Sequence, residues 1–154
     1  MIKKDTLPKI KEPISFSVFK DFKFYKIYIL FFIGTFIGLS IIGFTGNIGV
    51  ELIGISRHNI AIYLGVFSIF NGLGRPIFGY LNDRLTFKFS ASLSYLSLII
   101  ISILIYLFTD SIAVFIIAFI IFYLNFGGWL SLAPSATIKT FGKERYSRVY
   151  GFMF

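Results

Sequence analysis

The chain of 154 residues is long enough for one soluble domain, but 56% hydrophobic residues, 20% aromatics and only 14% charged residues place it in the membrane class. It has no cysteine and a single histidine, His58, which excludes disulfides, thiolate catalysis and metal sites built from cysteine or clustered imidazoles. The net charge of +8 could suggest nucleic acid, yet the lysines and arginines sit at the ends of long apolar runs and form no basic face, so no nucleic-acid partner is expected.

Residues 1–14 form a polar tail rich in lysine. From Ser15 to Lys26, Phe16, Phe19 and Phe22 recur at helical spacing while Lys20, Lys23 and Lys26 fall elsewhere, the pattern of an interfacial lead-in. Residues 27–50 carry no charge and are long enough to cross a hydrocarbon core of about 30 Å, too long for a signal-peptide core. This first span holds Gly34 and Gly38, then Gly43, Gly46 and Gly49, small residues that let another helix approach closely.

A short connection over 51–58 leads to the second span, 59–82, uncharged except for Arg75. A polar turn, Asn82-Asp83-Arg84, precedes the third span, 89–109, with Ser90, Ser94 and Ser97 along one side. Asp110 marks the next turn, and the fourth span, 111–138, contains Gly127, Gly128 and Pro134, which predict a bend in its second half. A basic loop is expected over 139–148, then the first turns of a fifth helix from about 149, giving an all-α membrane fold. Lysine and arginine concentrate before the first span, between the second and third, and after the fourth, while the opposite connections hold only Arg57. The positive-inside rule then predicts a multi-pass protein of the cell membrane, surrounded by lipid bilayer, with both termini cytoplasmic.

Arg75 is the costly residue, because a charge at membrane depth is rare without a partner or a function. Stepping by three or four from Gly65 gives Ser68, Gly72, Arg75 and Gly79, one small and polar helix face expected to meet other helices or a cavity, with Asn71 beside it. Snorkelling to the headgroups is the simpler reading. Helical side chains, however, lean toward the N-terminus, which aims Arg75 at the midplane. No acidic residue lies inside a span, so the compensating charge is expected from a ligand, and a guanidinium fork matches a small carboxylate. Pro76 frees a backbone carbonyl nearby. The pair Gly72 and Gly74 lacks the third glycine and the preceding strand of a dinucleotide loop.

Gly79, Asp83, Arg84 and Lys88 resemble the G-x-x-x-D-R-x-G-R-[RK] loop of the major facilitator superfamily, with Thr86 and Phe87 replacing the motif's second glycine and following arginine. Gly127-Gly128-Trp129, Ala133-Pro134-Ser135-Ala136-Thr137, Phe141-Gly142 and Tyr150-Gly151 are similar to the tenth helix, following loop and start of the eleventh helix in its oxalate/formate antiporter family. With Asn71 to Gly79, the resemblance runs over most of the chain from Phe16 and makes the four spans helices seven to ten of twelve. It implies a uniporter or antiporter of small carboxylates working by alternating access, with no cofactor and no covalent chemistry. It also implies a substrate-binding role for Arg75 on the eighth helix, a gate at Gly79, Asp83, Arg84 and Lys88, and a missing transporter half as partner. The chain is therefore expected to be a fragment, a split half or a truncated product.

In the fourth span Asn125, Gly128, Leu132 and Ser135 form an inward stripe, and Trp129, one turn from Asn125, is a candidate wall of an anion pocket or an interface residue. Asn125 and Tyr123 are weaker candidates for that pocket, and Asn71, beside Arg75, is a further substrate-binding candidate. No span carries a nucleophile with a base beside it, so an enzyme is not expected. The reading from a different class is a membrane packing or interaction subunit whose glycines serve only helix contact.

Overall fold

A computed structural model of the chain describes residues 16–154, so the polar tail lies outside the described residues. After a short 3-10 turn, Phe16–Lys20, five helices follow: α1 Phe22–Asn47, continued by a π-helical turn Ile48–Leu52, then α2 Arg57–Arg84, α3 Phe87–Leu107, α4 Ile112–Phe141 and α5 Lys143–Met153. The first four are long and apolar enough to cross a membrane. Large side chains such as Phe32, Phe36, Ile69 and Ile99 stay exposed on their outer faces, where lipid replaces water.

Short polar residues set the helix starts. Ser56, Thr86 and Ser111 each accept a hydrogen bond from the backbone N–H three residues on, at 3.3, 3.2 and 3.4 Å, capping α2, α3 and α4. Asp21 accepts from the Lys23 N–H at 2.9 Å and caps α1, so the expected interfacial lead-in is continuous with the first span from Phe22. The basic segment after the fourth span is not a loop through Arg148. It turns at Gly142, whose φ of 82° suits glycine, and α5 begins at once at Lys143. α4 runs as one helix through Gly127, Gly128 and Pro134.

α4 is the central helix: its most apolar window is 50% buried, while no other span exceeds 28%. It packs on α1, α2, α3 and α5. Against α1 the pairs Gly34 with Trp129, Gly38 with Phe126, Thr45 with Tyr123 and Gly49 with Phe115 run in opposite directions. Against α2 the pairs Asn71 with Gly127, Gly79 with Ser131, Asn82 with Ser135 and Asp83 with Lys139 ascend together, so α2 and α4 are parallel. α3 is antiparallel to α4, with Phe87 against Trp129 and Ser97 against Asn125. The start of α1, the α2–α3 turn and the α4–α5 turn therefore gather at one end, called here the basic end.

Glycine decides how closely α2 and α4 meet. A Cβ on Gly74 would strike the Leu124 carbonyl, and one on Gly127 would strike the Asn71 carbonyl, so backbone touches backbone at both positions. Phe78 lies against Gly128 and fills the next turn. Gly127→Ala and Gly74→Ala are expected to destabilise the protein by about 3 kcal/mol or to prevent folding, because the obstacle is main chain and cannot rotate away. Gly43→Ala, with nothing within 4 Å of the new methyl, is expected to be neutral. Thermal denaturation in one detergent compares the three; equal effects would refute the backbone contact.

Candidate functional site

The packed face of α2 carries Ile60, Phe67, Gly74, Phe78 and Asn82, all buried. Gly65, Ser68, Gly72 and Arg75 are exposed, and a Cβ on Gly65 or Gly72 would meet nothing within 4 Å. Of the stripe expected to meet other helices or a cavity, only Gly79 touches a described helix, at Ser131 Oγ of α4. The reason is the helical repeat. A contact built on Gly74 and Phe78 leaves the residues around Gly72 on the far side of the helix.

Arg75 therefore stands on an uncovered face, nine residues before the end of α2 at Arg84, or about 13 Å along the helix axis. Among the described residues it has no ion-pair partner; the one ion pair joins Asp83 and Lys139. Asn71, one turn earlier, is half-buried, with its Oδ1 turned into the α4 contact near Gly127 and without a hydrogen-bond partner among the described residues. Pro76 has no N–H for the carbonyl of Gly72, which leaves an acceptor near Arg75. Together these make a polar spot on an apolar helix, with a fixed positive charge that can take an anion.

Asn125 and Trp129 do not join that spot. Asn125 is 2% exposed and donates from Nδ2 to Ser97 Oγ at 3.0 Å and to the Ile121 carbonyl at 2.8 Å. Trp129 is fully buried, lying over Gly34 and against the rings of Tyr95 and Phe87. The expected role of Trp129 as a pocket wall or interface residue is corrected accordingly: its indole fills the space that Gly34 leaves on α1. Tyr123 is also buried, with its hydroxyl 3.2 Å from Thr45 Oγ1. The α4 stripe does face inward, but toward α3 and α2 instead of toward Arg75.

The polar turn has a partner that the sequence did not reveal. Lys139, in the last turn of α4, sits with Nζ 3.1 Å from Asp83 Oδ1 and also donates to the Asn82 carbonyl. Its charge suits a helix C-terminus, where free carbonyls concentrate negative potential. Asn82 is fully buried beside the pair and donates to Ser135 Oγ at 2.7 Å. Arg84 turns back over the Tyr80 ring at 5.5 Å, and Lys88 is exposed at the start of α3. Both ion-pair side chains are well exposed, so the pair contributes little to stability and can open and re-form. The register would have pointed to Lys139: the offset that pairs Asn71 with Gly127 also pairs Asp83 with Lys139.

No curated protein and no solved structure matches the chain. A family model described as Major Facilitator Superfamily matches residues 3–154, nearly the whole sequence. With four membrane-crossing helices around a central α4 and a charged turn after the second, the chain belongs to the Major Facilitator Superfamily, a family of membrane transporters.

Proposed function

We propose that the chain moves small organic carboxylates, of the oxalate, formate or monocarboxylate type, by alternating access, with Arg75 as the anion contact. The observation that carries this reading is an arginine on the uncovered face of a spanning helix, without an acidic partner among the described residues. Holding such a charge in an apolar setting is unfavourable unless an anion or a hydrated cavity meets it. A carboxylate satisfies the guanidinium with two parallel hydrogen bonds, which a monatomic anion cannot do.

In this reading a second helix bundle covers the open face of α2, and the small residues Gly65, Ser68 and Gly72 let it approach. Substrate lies between the two bundles near Arg75, and rocking of one bundle on the other exposes it to each side in turn. The basic end faces the cytoplasm of the cell. There Asp83, Arg84 and Lys139, with Gly79 allowing α2 to sit close on α4, form a latch whose ion pair re-forms in one state of the cycle and opens in the other.

A second reading, a packing subunit without transport of its own, draws on the same open glycines, since Gly65 and Gly72 offer a flat surface to any membrane helix. The two readings differ in what Arg75 does. Uptake of labelled oxalate or formate into vesicles containing the chain and a candidate partner bundle separates them. Arg75→Ala is expected to lower apparent affinity roughly a hundredfold, and Arg75→Lys to recover part of it, because a lone carboxylate contact is worth several kcal/mol when desolvated. Uptake that survives both substitutions would reject the anion role and leave the packing reading.

The latch makes a separate prediction. Asp83→Asn and Lys139→Gln are each expected to change stability by less than about 1 kcal/mol while slowing turnover. Exchanging the two residues, Asp83→Lys with Lys139→Asp, is expected to restore part of the rate. Single substitutions that leave turnover unchanged would remove the pair from the cycle.

A further inference from the structure

The interior of the bundle divides into two apolar clusters, one around Trp129 and Leu132 toward the basic end and one around Phe67 and Phe119 toward the other. A line of polar side chains on α3 and α4 runs through the first cluster to the boundary between them. Ser90 and Ser94 of α3 are 0% exposed and Asn125 of α4 is 2% exposed. Asn125 uses both bonds of its amide nitrogen on Ser97 Oγ and the Ile121 carbonyl, and Ser97 Oγ in turn donates to the Ser94 carbonyl at 2.7 Å. Among the described residues Asn125 Oδ1, Ser94 Oγ and Ser90 Oγ remain without a partner, as does the Trp129 Nε1 donor one turn along α4. Asn82, fully buried within a turn of the α2–α3 connection, repeats the pattern: its nitrogen donates to Ser135 and its Oδ1 receives nothing.

Serine hydroxyls can turn back onto carbonyls of their own helix. Amide oxygens have no such escape, because they only accept. In a membrane the lipid offers no donor either, so whatever satisfies Asn125 Oδ1 must reach it through the protein. We infer that the seam between α3 and α4 binds a short file of water molecules, held by Ser90 Oγ, Ser94 Oγ and Asn125 Oδ1, and entered at the basic end past Asn82. Ser90 and Ser94 lie one turn apart, about 6 Å along the axis, a separation that two linked waters span with normal hydrogen bonds. The oxygens are neutral and no carboxylate lies among them, which suits water and not a divalent cation. Bridging waters also let two helices exchange hydrogen bonds singly, so α3 can shift along α4 without leaving several polar groups bare at once.

The test is radiolytic hydroxyl labelling of the whole chain in lipid nanodiscs, read by mass spectrometry, since bound water generates radicals beside the residues it touches. Leu132 and Trp129, both fully buried, are expected to be oxidised severalfold faster in the parent than in Ser94→Ala, while Phe67 and Phe119 stay unchanged. Equal oxidation in the two proteins overturns the inference. Thermal stability gives a second reading of opposite sign: if Ser94 holds water, Ser94→Ala lowers the midpoint by about 2 °C, whereas a dry, unpaired hydroxyl raises it on removal. A rise or no change overturns the inference. So does a midpoint that climbs with sodium but not with choline, which assigns the oxygens to a cation.

Discussion

The backbone contact between α2 and α4 is the constraint on which the rest of the arrangement depends. Lipid tails are as apolar as leucine, so helices in a membrane gain little from burying apolar surface and associate through close packing and polar contacts. Gly74 and Gly127 let the two main chains touch and thereby fix both the distance and the register. Once that register is set, Gly79 meets Ser131, Asn82 meets Ser135 and Asp83 meets Lys139. A slip of one turn would break all three pairs together.

The same contact determines what is left open. Pinning α2 to α4 by its Gly74 side presents Gly65, Ser68, Gly72 and Arg75 outward, away from every described helix. The arginine is then neither paired with a carboxylate nor buried among the described residues, the arrangement on which its proposed role as an anion contact rests. By contrast, the bulky and amide side chains of α4 are spent inside the bundle. Trp129 takes the space above Gly34, and Asn125 ties α4 to α3 through Ser97.

Stability and mobility are distributed unevenly along the helix axis. The half away from the basic end is an aromatic stack, with Phe115 and Phe119 centroids 4.3 Å apart and Phe67 against both. The half toward the basic end mixes Trp129 and Leu132 with buried serines and asparagines, and ends in an ion pair that is open to solvent. Movement that exchanges hydrogen bonds costs less there than movement that opens a packed aromatic core. The Asp83–Lys139 ion pair, proposed as a latch, and the polar seam lie in the same half of the molecule.

The number of spans, their order and the gathering of basic residues at one end could be read from the sequence, because apolar runs of this length cross a bilayer as helices and charge inside them is costly enough to be rare. The caps Ser56, Thr86 and Ser111 emerged only with the structure, although their effect reaches just three residues along the chain. The start of α5 was not, because the lysines and arginines that suggested a loop are also good helix formers once Gly142 has turned the chain. Periodicity placed Arg75 on one face with Gly65, Ser68 and Gly72, but which way that face looks depends on the contact between α2 and α4. The stripe of small residues could have packed; it was Gly74 and Phe78, one step around the helix, that did. The partner of Asp83 and the burial of Trp129 likewise needed the register between distant segments, a quantity that no local pattern contains. Which residues are unfavourable in a membrane is thus a property of the sequence, because it depends on side-chain chemistry alone, whereas the tertiary packing decided which of them found partners inside the bundle and which, like Arg75, were left facing out.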